Sequence, residues 1–386
     1  MPGGLRIALV HPFPFTEVRR GGERYVWDLA EYLGRRGHDV EVLTGTDGVP
    51  GRRRVGSVTF RAVRHRQPRA LRLVHGGKED TFAASVLRAT MGAGFDLVHA
   101  FTPQAALAAR ASGHAVVYTS LGAPRREWLR TQPAIAYPLF WSAVRSATEV
   151  TALSTWAADQ VAATTGRVPN VLPPGVDLAA FPARTRNPCG PPTVLFASDA
   201  SEPAKRADVV LEALVPLADR HPGVRLRFGG PGDHRWALGS VGSVGSLGSL
   251  GDRAREIESR VDVLGVGDAP DLPSRYRDAT VTVLASAGEA FGLVLVESLA
   301  SGTPVVCADA AGPRDIVDDP AIGRRFRPDD PADLARALDE CIALAADPAT
   351  PARCAAHAAR WGWAEHVGPA HEDLYRGIRR RRRRSG

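Results

Sequence analysis

Short β-branched runs alternate with helical stretches along this chain in two separate series, and few folds accept that alternation. In the first series Ile7–Val10, Asp39–Thr44, Asp96–Ala100, Ala115–Thr119 and Glu149–Leu153 read as strands. Helices read at Tyr25–Arg36, Thr81–Thr90, Gln104–Ala111 and Trp156–Thr164. In the first of these, Val26, Leu29, Ala30 and Leu33 share one face and Gly37 ends the helix. Repetition of this kind predicts an α/β, doubly wound parallel sheet. The second series runs through Thr193–Ala197, Val224–Phe228, Val261–Leu264, Val281–Leu284 and Val305–Ala308, followed by a helix at Asp329–Ala346. Between the two series, residues 169–192 carry seven prolines and little periodicity, which reads as a linker. The expected organisation is one domain over 1–168 and another over 193–362. Serine and glycine repeats at Ser240–Gly251 cannot build a core and are expected to form a surface insertion.

Composition excludes several classes. The four cysteines (Cys189, Cys307, Cys341 and Cys354) are scattered, with no C-x-x-C pair and no histidines at ligand spacing. Neither a disulfide framework nor a zinc site follows, and a reducing cytoplasmic setting is expected. The N-terminal apolar run is too short for a signal-peptide core, and no stretch of eighteen apolar residues exists to span a bilayer. The net charge is +7, yet six consecutive arginines, Arg379–Arg384, supply most of it. The body is therefore close to neutral, which argues against a specific nucleic-acid binder. The basic end, 379–386, reads as a disordered tail that either does nothing or makes a weak, salt-sensitive contact with an anionic membrane at its inner face.

The segment from Gly288 to Gly302 concentrates the chemistry. Val281–Leu284 is a strand, Ser286–Gly288 breaks it, and from Gly292 onward Leu293, Val296, Leu299 and Ala300 recur at helical spacing. A helix starting there directs its unpaired N–H groups and positive dipole end at an anion beyond the strand tip, such as a diphosphate. Glu297 lies inside that helix, where a carboxylate can accept two hydrogen bonds from a ribose diol. Glu289 lies in the loop, where a sugar would sit.

These residues carry a resemblance. Glu289-Ala-Phe-Gly-Leu-Val-Leu-Val-Glu297 resembles the E-x7-E signature of the retaining family-4 glycosyltransferases, which have the GT-B fold. Asp278–Ala285, Ala300–Ala308, Pro313–Asp318, Asn170–Asp177, and Trp363 with Tyr375 follow the same family's pattern. The resemblance implies two Rossmann-like domains facing across a cleft, with a C-terminal helix over 363–380 returning to the first. It implies a nucleotide-diphosphate sugar as donor and an acceptor hydroxyl on a small molecule or lipid, with no metal and no cofactor. By the same carry-over, Glu297 holds the ribose, the backbone amides of Gly292, Leu293 and Val294 with Lys205 hold the phosphates, and Phe291 belongs to the donor-binding set. Glu289 serves the transferred sugar.

Other groups are more ambiguous. Gly21 and Gly22 precede the first helix, where the resemblance puts the diphosphate and donor sugar; a β–α turn uses glycine anyway. Lys205 stands at a helix entrance as a compact cation for a leaving diphosphate. The family carries an arginine five residues earlier, where this chain has Ala200; either Arg206 replaces that charge or the phosphates are held less tightly. His99 falls where relatives have H-x-H, but the second position is Phe101, so His99 is either catalytic or a buried strand histidine. Arg19-Arg20 and Arg125-Arg126-Glu127 are loop residues that either recognise an acidic acceptor or are solvated. No D-x-D pair is present to hold a diphosphate through a metal. A catalytically idle sugar-nucleotide-binding protein is the alternative reading. A doubly wound NAD enzyme is disfavoured because Pro12-Phe-Pro-Phe, and not G-x-G-x-x-G, follows the first strand.

Overall fold

The computed structural model describes residues 4–14, 20–65, 78–124, 134–186, 188–230, 257–265 and 271–385. Arg19, Arg125-Arg126-Glu127 and the Ser240–Gly251 repeat lie outside the described residues. The chain divides into two compact units, Met1–Gly175 with Trp363–Gly386, and Val176–Gly362.

The first unit is built on eight strands: β1 (Arg6–Val10), β2 (Asp39–Thr46), β3 (Gly51–Val55), β4 (Val58–Arg64), β5 (Leu97–Ala100), β6 (Val116–Ser120), β7 (Glu149–Ala152) and β8 (Asn170–Val171). Their order is β3-β4-β2-β1-β5-β6-β7-β8, parallel throughout except for the β3–β4 hairpin. That hairpin was not legible beforehand: Gly51–Val55 reads Gly-Arg-Arg-Arg-Val, and all five residues are exposed. Helices α1 (Gly21–Arg35), α2 (Lys78–Thr90), α3 (Pro103–Ala111), α4 (Ala136–Ser146) and α5 (Thr155–Thr165) follow the strands. Val10, Phe82, Val86, Val98, Val116, Phe140, Val144 and Val161 form a common core. Ser154 caps α5 by accepting from Ala157 N at 3.1 Å, and Gly166 closes it at φ 75°.

The second unit holds a wholly parallel sheet of β9 (Thr193–Phe196), β10 (Arg225–Phe228), β11 (Val261–Val263), β12 (Val281–Leu284), β13 (Val305–Ala308) and β14 (Gly323–Phe326), in the order β11-β10-β9-β12-β13-β14. Strands β9, β12 and β13 are buried along their whole length, which is why they read as continuous apolar runs. Helices α6 (Ala207–Arg220), α7 (Leu272–Arg277), α8 (Leu293–Ala300), α9 (Pro331–Ala346) and α10 (Thr350–Ala358) accompany them. Phe196, Leu211, Leu214, Leu217, Phe228, Val283, Phe326, Leu334 and Leu338 pack between sheet and helices.

Helix α11 (Gly368–Ser385) belongs to the first unit. Trp363, just before it, stacks on Tyr25 and Tyr32, with ring centroids 6.0 Å away in both cases. Gly368 packs so closely that a Cβ there would lie 2.1 Å from the Tyr32 ring. Buried Glu372 accepts from Arg36 Nε at 3.1 Å and pairs with Arg376 at 2.9 Å. The basic segment differs from the expected disordered tail, because α11 continues through it to Ser385. The reason is docking: Arg379 pairs with Asp96 at 3.3 Å, Arg381 with Glu149, and Arg382 reaches the Gly113 carbonyl at 3.4 Å. Arginines that read as a uniform charge run are thus partly consumed by the first unit's own acids and carbonyls.

Candidate active site

In a parallel sheet every strand ends on the same side, and the loops that leave those ends converge there. In the second unit three such loops carry the residues singled out in the sequence. The loop from β9 to α6 forms a 3-10 turn at Pro203–Lys205, and Lys205 N closes it on Glu202 O at 2.9 Å. The loop from β12 to α8 carries Glu289. Lys205 Nζ donates to Glu289 Oε2 at 2.7 Å, and Ser286 Oγ donates to the same oxygen at 3.3 Å. Both charged side chains keep about a quarter of their surface exposed, 23% and 25%, so the pair is held yet reachable. Burial alone would lower the Lys205 pKa; the adjacent Glu289 carboxylate outweighs it and raises the ammonium above its ordinary value.

The third loop, after β13, fixes the Glu289 backbone. Gly312 N donates to Glu289 O at 3.0 Å, and a Cβ on Gly312 would lie 2.2 Å from Ala290 O. Only glycine allows that approach. Gly292 adopts φ 107°, ψ 54° and caps the start of α8. Leu295 N bonds back to Gly292 O at 2.9 Å, while helix geometry leaves the first-turn N–H groups of Leu293 and Val294 without an intrahelical acceptor. Phe291 is buried with its edge against Trp361, centroids 6.2 Å apart. The helix begins at Leu293, with Gly292 as its left-handed cap and not its first residue.

Glu297 sits on the second turn of α8 at 2% exposure. Its Oε2 accepts from Tyr276 Oη of α7 at 2.7 Å. A carboxylate enclosed this far is not a solvated helix charge. Tyr276 was missed in the sequence, since nothing in Leu272–Arg277 marks one tyrosine as a partner for a residue 21 positions on.

One expected donor group looks different in place. Arg206, at φ 57° and ψ 45°, caps α6, and its guanidinium pairs with Asp208 at 3.1 Å and also with Asp329. It is committed to holding the helix start, so the replacement of a missing phosphate cation by Arg206 has little geometric support. Ala200, at the position of the absent arginine, is 1% exposed and part of the hydrophobic core.

The remaining residues lie in the first unit. Gly21 and Gly22 are the first two residues of α1, four positions earlier than the expected helix start. A Cβ on Gly21 would meet nothing, and one on Gly22 would come within 3.1 Å of Leu121 Cδ1. His99 is corrected from a catalytic candidate to a buried structural one. It is fully enclosed; Nδ1 is 2.6 Å from Tyr375 Oη, Nε2 is 2.5 Å from Thr119 Oγ1, and its ring stacks on Phe101 at 4.3 Å. Burial, reinforced by His371, lowers its pKa well below the ordinary histidine value. With both ring nitrogens occupied by this network, His99 ties β5 to α11 and does not present itself to a substrate.

Two doubly wound units on mainly parallel sheets give the GT-B fold, and the second carries a glutamate pair eight residues apart across a glycine-led helix start. The chain belongs to the family-4 glycosyltransferases: a Glycosyltransferase Family 4 model matches residues 19–180, and a Glycosyl transferases group 1 model matches residues 191–343. Among its relatives, the D-inositol 3-phosphate glycosyltransferase of Acidothermus cellulolyticus is 35% identical over 219 residues, which are 50% of this chain and 44% of that protein. The match thus spans somewhat under half the length of that curated relative. The phosphatidyl-myo-inositol mannosyltransferase of Mycobacterium tuberculosis is 28% identical over 355 residues, 86% of this chain and 84% of its own. The structure of HepE from Anabaena, determined in complex with UDP-glucose, superposes with a TM-score of 0.71 over 96% of this chain and 99% of that one, at 20% identity.

Proposed function

We propose that this protein transfers a hexose-type glycosyl group from a nucleotide-diphosphate sugar to an acceptor hydroxyl, with retention of anomeric configuration and without a metal ion. The single observation that carries the reading is the Lys205–Glu289 contact of 2.7 Å, beside the start of α8 at the strand ends of the second sheet. The relatives' inositol-phosphate and phosphatidyl-inositol names favour a phosphorylated polyol, free or lipid-borne, as acceptor class. A nucleotide-sugar donor is favoured by the UDP-glucose complex of HepE.

In this reading Glu297 takes the ribose diol, and Lys205 with the Leu293 and Val294 amides takes the diphosphate. The bond from the anomeric carbon to the phosphate oxygen breaks, and a bond to the acceptor oxygen forms on the same face. The acceptor proton passes to the leaving phosphate. Lys205 neutralises the charge that grows on that phosphate, and Glu289 offsets the positive charge that grows at the anomeric carbon. The binding of donor draws Lys205 between Glu289 and the phosphate, so one cation serves both developing charges. The preorganised pair spares reorganisation at the moment of reaction.

The buried Ala200 favours one second reading, an idle sugar-nucleotide-binding protein, because the usual extra phosphate cation is absent. Incubation with UDP-, GDP-, ADP- and dTDP-sugars and an inositol phosphate, followed by product detection and NMR of the anomeric centre, tests both. An α-linked product from an α-linked donor supports retention, and an inverted product overturns it. Nucleotide binding without turnover on any acceptor supports the idle reading.

A further inference from the structure

The second unit carries another concave surface, at the opposite end of its strands from Lys205 and Glu289. Thr193 and Arg225 begin β9 and β10, and Asp278 precedes β12, so the cavity they line lies at the N-terminal strand ends. It measures about 750 Å³. Five arginines line it: Arg184, Arg186, Arg225, Arg227 and Arg277, against one lining acid, Asp278. Asp262 takes Arg225 at 2.7 Å and lies 3.8 Å from Arg227. Among the described residues no carboxylate pairs with Arg186 or Arg277.

Arg184 is the most informative of the five. It is only 7% exposed, yet one nitrogen alone is satisfied: Nη1 donates to Ala279 O at 2.5 Å and more distantly to Arg277 O at 3.4 Å. Its Nε and Nη2 have no hydrogen-bond acceptor. A buried cation with unmet donors, among four like charges, is unfavourable unless an anion completes the set. Planar guanidinium forks match the paired oxygens of a phosphate group.

We propose that this cavity binds a phosphate- or pyrophosphate-bearing ligand, at a site separate from the donor phosphates. Its anion comes from either a free phosphorylated compound or a phospholipid headgroup. The full-length chain is melted at low ionic strength with and without sodium pyrophosphate, against sodium chloride of matched ionic strength. The expected result is a rise of about 2 °C or more in the parent and in Lys205→Ala, lost in the double variant Arg186→Gln/Arg277→Gln. Among the described residues these two arginines hold no ion pair, so the double variant should melt like the parent when pyrophosphate is absent. A rise that disappears in Lys205→Ala but persists in the double variant overturns the site, as does no rise in Lys205→Ala. Co-sedimentation with phosphatidylglycerol vesicles then separates the sources. Pelleting lost in the double variant assigns a headgroup; equal pelleting of parent and variant assigns a free phosphate compound. None of these readouts involves glycosyl transfer, so this inference and the transfer reading stand or fall separately.

Discussion

Lys205 Nζ and Glu289 Oε2 meet at 2.7 Å across 84 residues of chain, joining the loop after β9 to the loop after β12. A salt bridge a quarter exposed contributes modestly to stability, so its geometry matters more for what it positions. Glu289 is anchored twice more, by Ser286 Oγ on its carboxylate and by Gly312 N on its backbone. The carboxylate and the cation are therefore delivered together, the carboxylate from the loop that leads directly into α8.

Lys205→Ala should lower kcat/KM by about 10²-fold or more, the usual loss when one preorganised charge-stabilising group is removed. Glu289→Gln should reduce turnover far more than donor affinity, because its role grows with charge in the transition state. Steady-state kinetics with calorimetric nucleotide titration check both. If Glu289→Gln keeps its turnover and only the donor KM rises, the residue binds donor and does nothing later.

Glu297→Ala should weaken nucleoside-diphosphate binding by about 1.5–3 kcal/mol through loss of a charge-assisted acceptor. It also strands the Tyr276 hydroxyl in the interior, so some loss of melting temperature is expected with it. Tyr276→Phe separates the two effects. That variant should keep most nucleotide affinity while removing the same buried hydrogen bond. Equal nucleotide affinity in Glu297→Ala and parent would falsify the ribose assignment.

Transfer should survive chelation. Dialysis against EDTA and assay in metal-free buffer should leave the rate unchanged, since Lys205 and the α8 amides are proposed to neutralise the diphosphate. Loss of activity restored by magnesium or manganese would instead require a metal bridge to the phosphates.

Acid should loosen the first unit through its buried histidines. Burial holds His371 down to about 4, partly opposed by its hydrogen bond to the Val367 carbonyl. In the unfolded chain the ring titrates near 6.5. Between those values the unfolded chain binds a proton that the folded chain refuses, so stability falls as pH drops from about 6.5 to about 4. The contribution is flat above and below that window. The full loss is about 3 kcal/mol from this group, and His99 is lowered in the same direction. Tyr25 Oη lies 2.7 Å from His371 Nε2, an acceptor that protonation would remove. Melting curves at pH 7.5 and 5.0 for the parent and His371→Gln check this: the variant should lose less on acidification. Parallel losses would assign the acid sensitivity elsewhere.

Much of the fold was legible because local and global signals agree. The buried strands β9, β12 and β13 are continuous apolar runs, and the proline-rich stretch marks the passage between units. That passage is shorter than it read: Asn170–Val171 still pairs with β7, and Val176 already bridges to Gly362 in the second unit. The β3–β4 hairpin escaped notice because an edge strand exposed on every residue carries no apolar alternation. Strand β14, Gly-Arg-Arg-Phe, was missed for a similar reason, its two arginines hiding two buried ends.

At the site, the sequence by itself determined the groups whose chemistry depends on neighbours in the chain. The helix near Gly292 and the two glutamates around it follow from local spacing, because helix starts and turns are local events, although the left-handed cap at Gly292 was not foreseen. Tertiary structure alone decided how distant groups are used. It paired Lys205 with Glu289, enclosed Glu297 under Tyr276, diverted Arg206 to Asp208 and Asp329, and walled in His99 between Thr119 and Tyr375. It also turned a run of arginines into a docked helix by supplying Asp96 and Glu149. A charge has no partner written beside it; burial and the approach of remote segments set its partner and its proton affinity, and no local pattern encodes either.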